Sequence, residues 1–258
     1  MQRKPILIFT LLTLLSPNLQ ASDLEKERRW ADQITDALLD GEARYLEDGQ
    51  GEFLAIETPA ADGSKGKTAI IMHGTGVHPD WPTVVQPLRV RLTEMGWNTL
   101  SIQMPILDND APHEAYAAIY DEVPGRLDAA IDHARQNGAE KLVLIAHSQG
   151  STMTAYYLAN GGKKTDGLIA IGMGPGIAGG PMDNLEHLRS IRIPMLDLYG
   201  SSDLEEVVAS ATERRRIASA SNADYTQIMV TGADHFFDGE EKLLFEQVSG
   251  WLNKHEEL

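Results

Sequence analysis

The apolar runs Thr68–Gly74 (TAIIMHG), Lys141–His147 (KLVLIAH), Gly167–Met173 (GLIAIGM) and Pro194–Gly200 (PMLDLYG) constrain this chain most. Each has the length of a strand, and none alternates apolar with polar residues as a half-exposed strand does. A strand without that alternation is buried on both faces, the condition met inside a parallel sheet. The segments between them carry helical periodicity instead. Val84, Val85, Leu88 and Leu92 form one stripe, with Pro87 in its first turn and Gly96 past its end. Leu127, Ala130, Ile131 and Ala134 form another, ended by Gly138, and Leu204, Val207, Val208 and Ala211 a third. Trp30, Ile34 and Leu38 predict an opening helix; Leu244, Val248, Trp251 and Leu252 predict a closing one. Asn98–Met104 and Tyr225–Gly232 read as further strands, and Glu52–Thr58 alternates like a strand with one exposed face. No internal repeat or low-complexity tract interrupts the pattern.

Strands alternating with helices predict an α/β fold, a mostly parallel sheet covered by helices on both faces. Ligands of such sheets sit beyond the carboxyl ends of the strands. Attention therefore falls on His73–Gly76, Pro105–Asp110, His147–Gln149, Gly174–Gly180, Ser201–Asp203 and Ala233–His235.

One of these loops has a particular shape. Ala146-His147-Ser148-Gln149-Gly150 joins an apolar strand to a helical stretch. It fits the nucleophile elbow G-x-S-x-G, with alanine for the first glycine, an added methyl group only. The elbow lifts a serine hydroxyl above the sheet, but such a hydroxyl needs a base, usually a histidine oriented by a carboxylate. In this architecture those partners follow in the order Asp or Glu, then His. Three histidines lie downstream of Ser148. His255 sits in a charged tail and His187 in a polar stretch between strands, so both are expected at the surface. His235 follows the last strand at the correct sheet edge and is the predicted base. Asp203 follows Pro194–Gly200 at that same edge and is the predicted carboxylate; Asp197, inside the strand, is expected to be structural. A tetrahedral oxyanion requires fixed N–H donors. The backbone of Gln149, next to the nucleophile, and of Thr75, in the turn after Thr68–Gly74, are the predicted pair.

Other motifs are weaker. Gly174-x-Gly176-x-x-Gly179 matches a dinucleotide fingerprint, but Gly180-Pro181 delays the helix that such a site requires. His113 begins a zinc-protease-like "HEAYA" whose second histidine is replaced by Ala117, and Asp108–Asp110 reads as an acidic surface loop. No cofactor or metal site is therefore expected. Gly174–Arg192 is too short for a large lid, whereas Leu107–Gly125, with Tyr116 and Tyr120, is either a wall of the pocket or a surface helix.

The ordered set "HGTG", "AHSQG", "YGSSD" and "GADHFF" resembles the α/β-hydrolase superfamily over about Glu52 to Leu252. The block His73–Pro105 (HGTGVHPDWPTVVQPLRVRLTEMGWNTLSIQMP) is similar to an exported bacterial family of unknown function with that fold. The resemblance implies an eight-stranded type of sheet, a Ser148–Asp203–His235 triad and no cofactor. It assigns no substrate. The expectation is a serine hydrolase acting on an ester, thioester or related acyl bond of a small-molecule or acyl substrate. The alternative is a catalytically inactive binding or envelope-maintenance protein, because members of the superfamily have lost catalysis.

Charge and the N-terminus bear on place and partners. The 258 residues carry a formal charge of −16, which disfavours nucleic acid and anionic membrane surfaces. Arg3 and Lys4 precede the apolar run Ile6–Leu15, and small Ala21 precedes Ser22. This is the form of a signal peptide, too short to span a bilayer. Residues 1–21 are expected to be removed near Ala21, leaving 22–258 as a single domain in the periplasm, with no stable membrane insertion. The chain has no cysteine, so neither a disulfide nor lipid attachment at a cysteine is available.

Overall fold

The computed structural model describes residues 22–255 apart from 62, 64 and 65; the expected signal peptide, residues 1–21, lies outside the described residues. Eight strands form one sheet. They are β1 (Glu42–Glu47), β2 (Glu52–Thr58), β3 (Lys67–Met72), β4 (Asn98–Ile102), β5 (Lys141–His147), β6 (Gly167–Ile171), β7 (Met195–Ser202) and β8 (Tyr225–Asp234). Their spatial order is β1-β2-β4-β3-β5-β6-β7-β8. The first two pairings, β1 with β2 and β2 with β4, are antiparallel, and every later one is parallel.

The helices are α1 (Leu24–Ala37), α2 (Val85–Arg91), α3 (Val123–Gln136), α4 (Gln149–Ala159), α5 (Asn184–His187), α6 (Glu205–Ser221) and α7 (Glu241–Lys254), with a 3-10 segment at His113–Glu122. Successive strand residues point to opposite faces, and the buried runs divide accordingly. Ile70 and Met72 of β3, with Leu142, Leu144 and Ala146 of β5, pack against α3, α4 and the end of α6. Ala69, Ile71, Val143 and Ile145 pack against α2 and α7. Two-sided burial is why these strands carry no polar alternation.

Three expectations needed adjustment. β2 is buried along most of its length rather than half-exposed. Leu54 and Ile56 lie under Ala31 and Ile34 of α1, while Phe53 and Ala55 join the main core. Its partner β1 was not foreseen, because only Leu46 of its six residues is buried. In α6 the buried stripe runs through Val207, Ala211, Arg214, Ile217 and Ala218, whereas Leu204 and Val208 are exposed. The sequence stripe counted apolar residues, but an arginine occupies the inner face. Arg214 pairs with Asp197 at 2.9 Å with both side chains fully buried, so Asp197 is structural as expected. Among the described residues no helix is long and apolar enough to cross a membrane.

Candidate active site

The parallel strands β5, β6, β7 and β8 end at one edge, and residues that follow them line a cleft of about 460 Å³ there. Ser148 stands between β5 and α4 with φ 53° and ψ −122°, a conformation that non-glycine residues seldom adopt. Its backbone N–H donates to the carbonyl of Ile171 at 2.8 Å, fixing the turn across β6. The turn is tight enough that a Cβ on Gly150 would stand 2.5 Å from the His73 carbonyl oxygen. Only glycine fits there, whereas Ala146 is accommodated in the core. These are the geometric demands of a nucleophile elbow.

β7 and β8 run further than their apolar patterns suggested, so Asp203 and His235 each follow directly on a strand end. His235 Nε2 lies 2.9 Å from Ser148 Oγ, and His235 Nδ1 lies 2.5 Å from Asp203 Oδ1. A carboxylate only accepts, so Nδ1 carries the hydrogen and Nε2 is free to accept from the serine hydroxyl. Asp203 is held in turn by the backbone N–H groups of Leu204 at 2.8 Å and Gly200 at 3.3 Å. The ring of His235 passes over Gly172, whose φ is +61° and where any Cβ would stand 3.0 Å from the ring. Thr75 and Gln149 line the same cleft as Ser148, so all five residues singled out in the sequence converge.

The other two histidines are not solvated. His187 is buried and its Nε2 donates to the Pro181 carbonyl at 2.9 Å. His255 is buried too, with Nδ1 donating to the Trp251 carbonyl at 2.8 Å and Nε2 3.1 Å from Asp224. The polar sequence around them concealed helix-end packing. Asp234 accepts from Phe236 and Asp238 N–H and so faces its own turn rather than His235.

Several positioning residues escaped the sequence reading. His147 Nε2 donates to the backbone carbonyl of His235 at 2.9 Å, tying the Ser148 turn to the loop that carries His235. Burial, with the adjacent His235, lowers the His147 pKa to about 4, which keeps the ring neutral. His73 accepts from Met104 N–H at 3.0 Å through Nε2 and donates from Nδ1 to the Gly74 carbonyl at 2.8 Å. It is neutral as well, since burial lowers its pKa to about 3. Residues Leu107–Gly125 settle into the core through Tyr116, Ile119 and Tyr120, and Ala111 and His113 line the cleft, so the segment is a wall rather than a surface helix. Tyr120 Oη accepts from Gln149 Nε2 at 2.7 Å, and Tyr116 Oη accepts from Leu107 N–H at 3.3 Å. The glycine-rich loop also reaches the cleft through Gly174, Pro175, Gly176 and Ile177. It opens no dinucleotide-binding helix, because the next helix starts only at Asn184. Among the described residues no cluster of three or more His, Cys, Asp or Glu is arranged to hold a metal.

A family model described as "Protein of unknown function (DUF3530)" matches residues 16–125 and 108–254. No curated protein sequence matches the chain. Among solved structures, the esterase Pf2001 of Pyrococcus furiosus superposes with a TM-score of 0.70 at 15% identity, over 86% of this chain and 93% of that one. Est1E from Butyrivibrio proteoclasticus gives 0.68 at 15% identity, over 84% and 99%. XC6422 from Xanthomonas campestris, described as an α/β serine hydrolase without lid, gives 0.65 at 18% identity, over 83% and 94%. The fold is that of the α/β-hydrolases.

Proposed function

The chain belongs to the DUF3530 family of proteins of unknown function, and from the site it carries we propose that it is an exported serine hydrolase cleaving an ester, thioester or related acyl bond. The observation that carries this reading is the continuous chain Ser148 Oγ, His235, Asp203, with contacts of 2.9 and 2.5 Å.

In this reading Ser148 Oγ attacks the acyl carbon while His235 Nε2 takes its proton. Asp203 keeps the ring in the required tautomer and stabilises the imidazolium that forms. The negative oxygen of the tetrahedral intermediate accepts from the Thr75 and Gln149 N–H groups. His235 then protonates the departing alcohol or thiol. Water attacks the acyl-serine by the same route, releasing the acid and restoring the hydroxyl. The cleft adds apolar surface from Ile177, Leu204, Val207 and Phe236, which suits an acyl chain. In the rival reading, a non-catalytic binding or envelope-maintenance protein, the Ser–His pair would be splayed or the pocket filled. The 2.9 Å contact and the open cleft support the enzyme instead.

The basic start and apolar Ile6–Leu15 support a periplasmic location with cleavage near Ala21. Without Arg3 and Lys4 the formal charge is −18, which supports neither nucleic acid nor anionic lipid as a partner. A fluorophosphonate probe should label Ser148 in folded protein and leave Ser148→Ala unlabelled. The substitution should lower turnover on a panel of acyl esters and thioesters by at least about 10³-fold, because triad members act as a unit. An unlabelled wild-type protein beside a working control would refute the reading.

A further inference from the structure

Glu122, at the end of the 3-10 segment, is buried, and no cationic side chain among the described residues forms an ion pair with it. It accepts from the backbone nitrogen of Ser22 at 2.9 Å. Nearby, Arg126 is shared by two carboxylates, Glu27 at 2.8 Å and Asp48 at 3.1 Å. Glu27, Asp48 and Glu122 thus line one cavity with a single buried guanidinium, an arrangement that is costly to bury without further positive charge. The imbalance is felt at Glu27, whose pKa is raised by burial first and also by Glu122. Ser22 itself is buried, its Oγ has no partner, and it borders a cavity of about 120 Å³. Asp23 N–H donates to the Ile106 carbonyl at 2.7 Å and holds the backbone in place.

We infer that this cavity is the seat of the mature N-terminus, the α-ammonium group of Ser22 freed by hydrolysis of the Ala21–Ser22 peptide bond. The inference rests on the export reading for the cleavage and on the Glu122 geometry for the site. In the hydrolysis the hydroxyl of water joins the Ala21 carbonyl carbon and the C–N bond breaks. The remaining hydrogen goes to the Ser22 nitrogen, which takes one more proton from solvent. A neutral amide donating one hydrogen bond becomes a cation able to donate three, and charge-assisted bonds are the stronger kind. The positive end of α1 opposes a cation two residues ahead of it; the three carboxylates outweigh that partial charge.

The sign of the pH dependence follows. A free α-amino group titrates at about 7.7–8.0, and pairing with Glu122 raises that value in the folded state. The added stability is therefore complete below about 7.7 and is lost as pH rises through the folded-state value. The other charged groups facing the cavity are Glu27 and Arg28 from α1, Asp48 and Glu52 from the β1–β2 hairpin, and Arg126 from α3, with the phenol of Tyr45 beside them. They are common to both protein forms compared next, so their titrations cancel.

Two forms are prepared by tag removal, one starting at Ser22 and one with two extra residues ahead of it. At pH 6.5 the Ser22 form should melt about 4 °C higher, the scale set by a charge-assisted hydrogen bond in a chain of this size. The gap should shrink at pH 9.5 and vanish in Glu122→Gln. Equal melting at pH 6.5, or a gap that ignores pH, overturns the inference even if the Glu122→Gln protein fails to fold. N-terminal sequencing of the exported protein gives an independent reading. A start at Ser22 supports the inference, a start elsewhere overturns it while leaving export intact, and an uncut cytoplasmic chain overturns both.

Discussion

Ser148 sits at φ 53° because the chain on either side leaves no other course: β5 ends at His147 and α4 begins at Gln149. The same economy governs His235, whose two ring nitrogens are both engaged, one by Asp203 and one by Ser148. Replacing Asp203 by Asn tests the division of labour. An amide can donate to Nδ1, which favours the tautomer with hydrogen on Nε2 and leaves Ser148 without a base. Turnover should fall by about 10⁴-fold with the fold intact, measured beside a far-UV spectrum that matches wild type. A loss of less than tenfold would mean that Asp203 does not orient the base. The convergence of Ser148, Asp203 and His235 was legible in sequence, since the spacing around Ser148 and the strand ends preceding Asp203 and His235 are local features. His147 was not: its bond to the His235 carbonyl crosses 88 positions of chain, and no local pattern announces it.

Helix α6 turns an arginine toward the core. Its inner face holds Arg214, which donates to Asp197 through Nε at 2.9 Å and to the Val207 carbonyl at 2.8 Å. Asp197 also accepts from Tyr225 Oη at 2.7 Å and Gln227 Nε2 at 2.9 Å, so β7, β8 and α6 meet on one carboxylate. Arg214→Met removes the cation and leaves the charge of Asp197 buried. It should cost about 3–5 kcal/mol, read as a lower urea midpoint at unchanged slope. A cost below about 1 kcal/mol would show that Tyr225 and Gln227 suffice. The double substitution Arg214→Met with Asp197→Leu should recover part of the loss, because no unpaired charge then remains. Apolar periodicity located α6 but misjudged its inner face, since a paired arginine counts as polar in any sequence pattern.

Across the whole molecule, two neutral buried histidines connect site geometry to acid stability. His73 and His147 have pKa values lowered to about 3 and about 4 by burial, against about 6.5 in an unfolded chain. Below about pH 6.5 the unfolded chain binds protons that the folded one refuses, so stability falls with pH. Their contribution is complete above about 6.5 and is lost as pH drops toward about 4 and then about 3. These two histidines leave the melting temperature unchanged between pH 7 and 8 and should lower it between pH 6.5 and 5. His147→Gln, which keeps a donor for the His235 carbonyl, should flatten that decline. A melting temperature constant from pH 8 to 5 would contradict the assignment.

The class of fold, the parallel centre of the sheet and the order in which the serine, carboxylate and histidine of the site appear could all be read from the amino-acid sequence. These follow from burial and turn chemistry, which act on neighbouring residues and leave a periodic trace. Tertiary structure alone decided what depends on distant partners. β1 became a strand because β2 offered it an edge, and β2 was buried because α1 covered it. The wall at Leu107–Gly125 was fixed by Tyr120 reaching Gln149, 29 positions away. Ser22 found Glu122 across 100 positions. Contacts of that span carry no periodicity, because the partner's place is set by the folded sheet and not by the residues beside it.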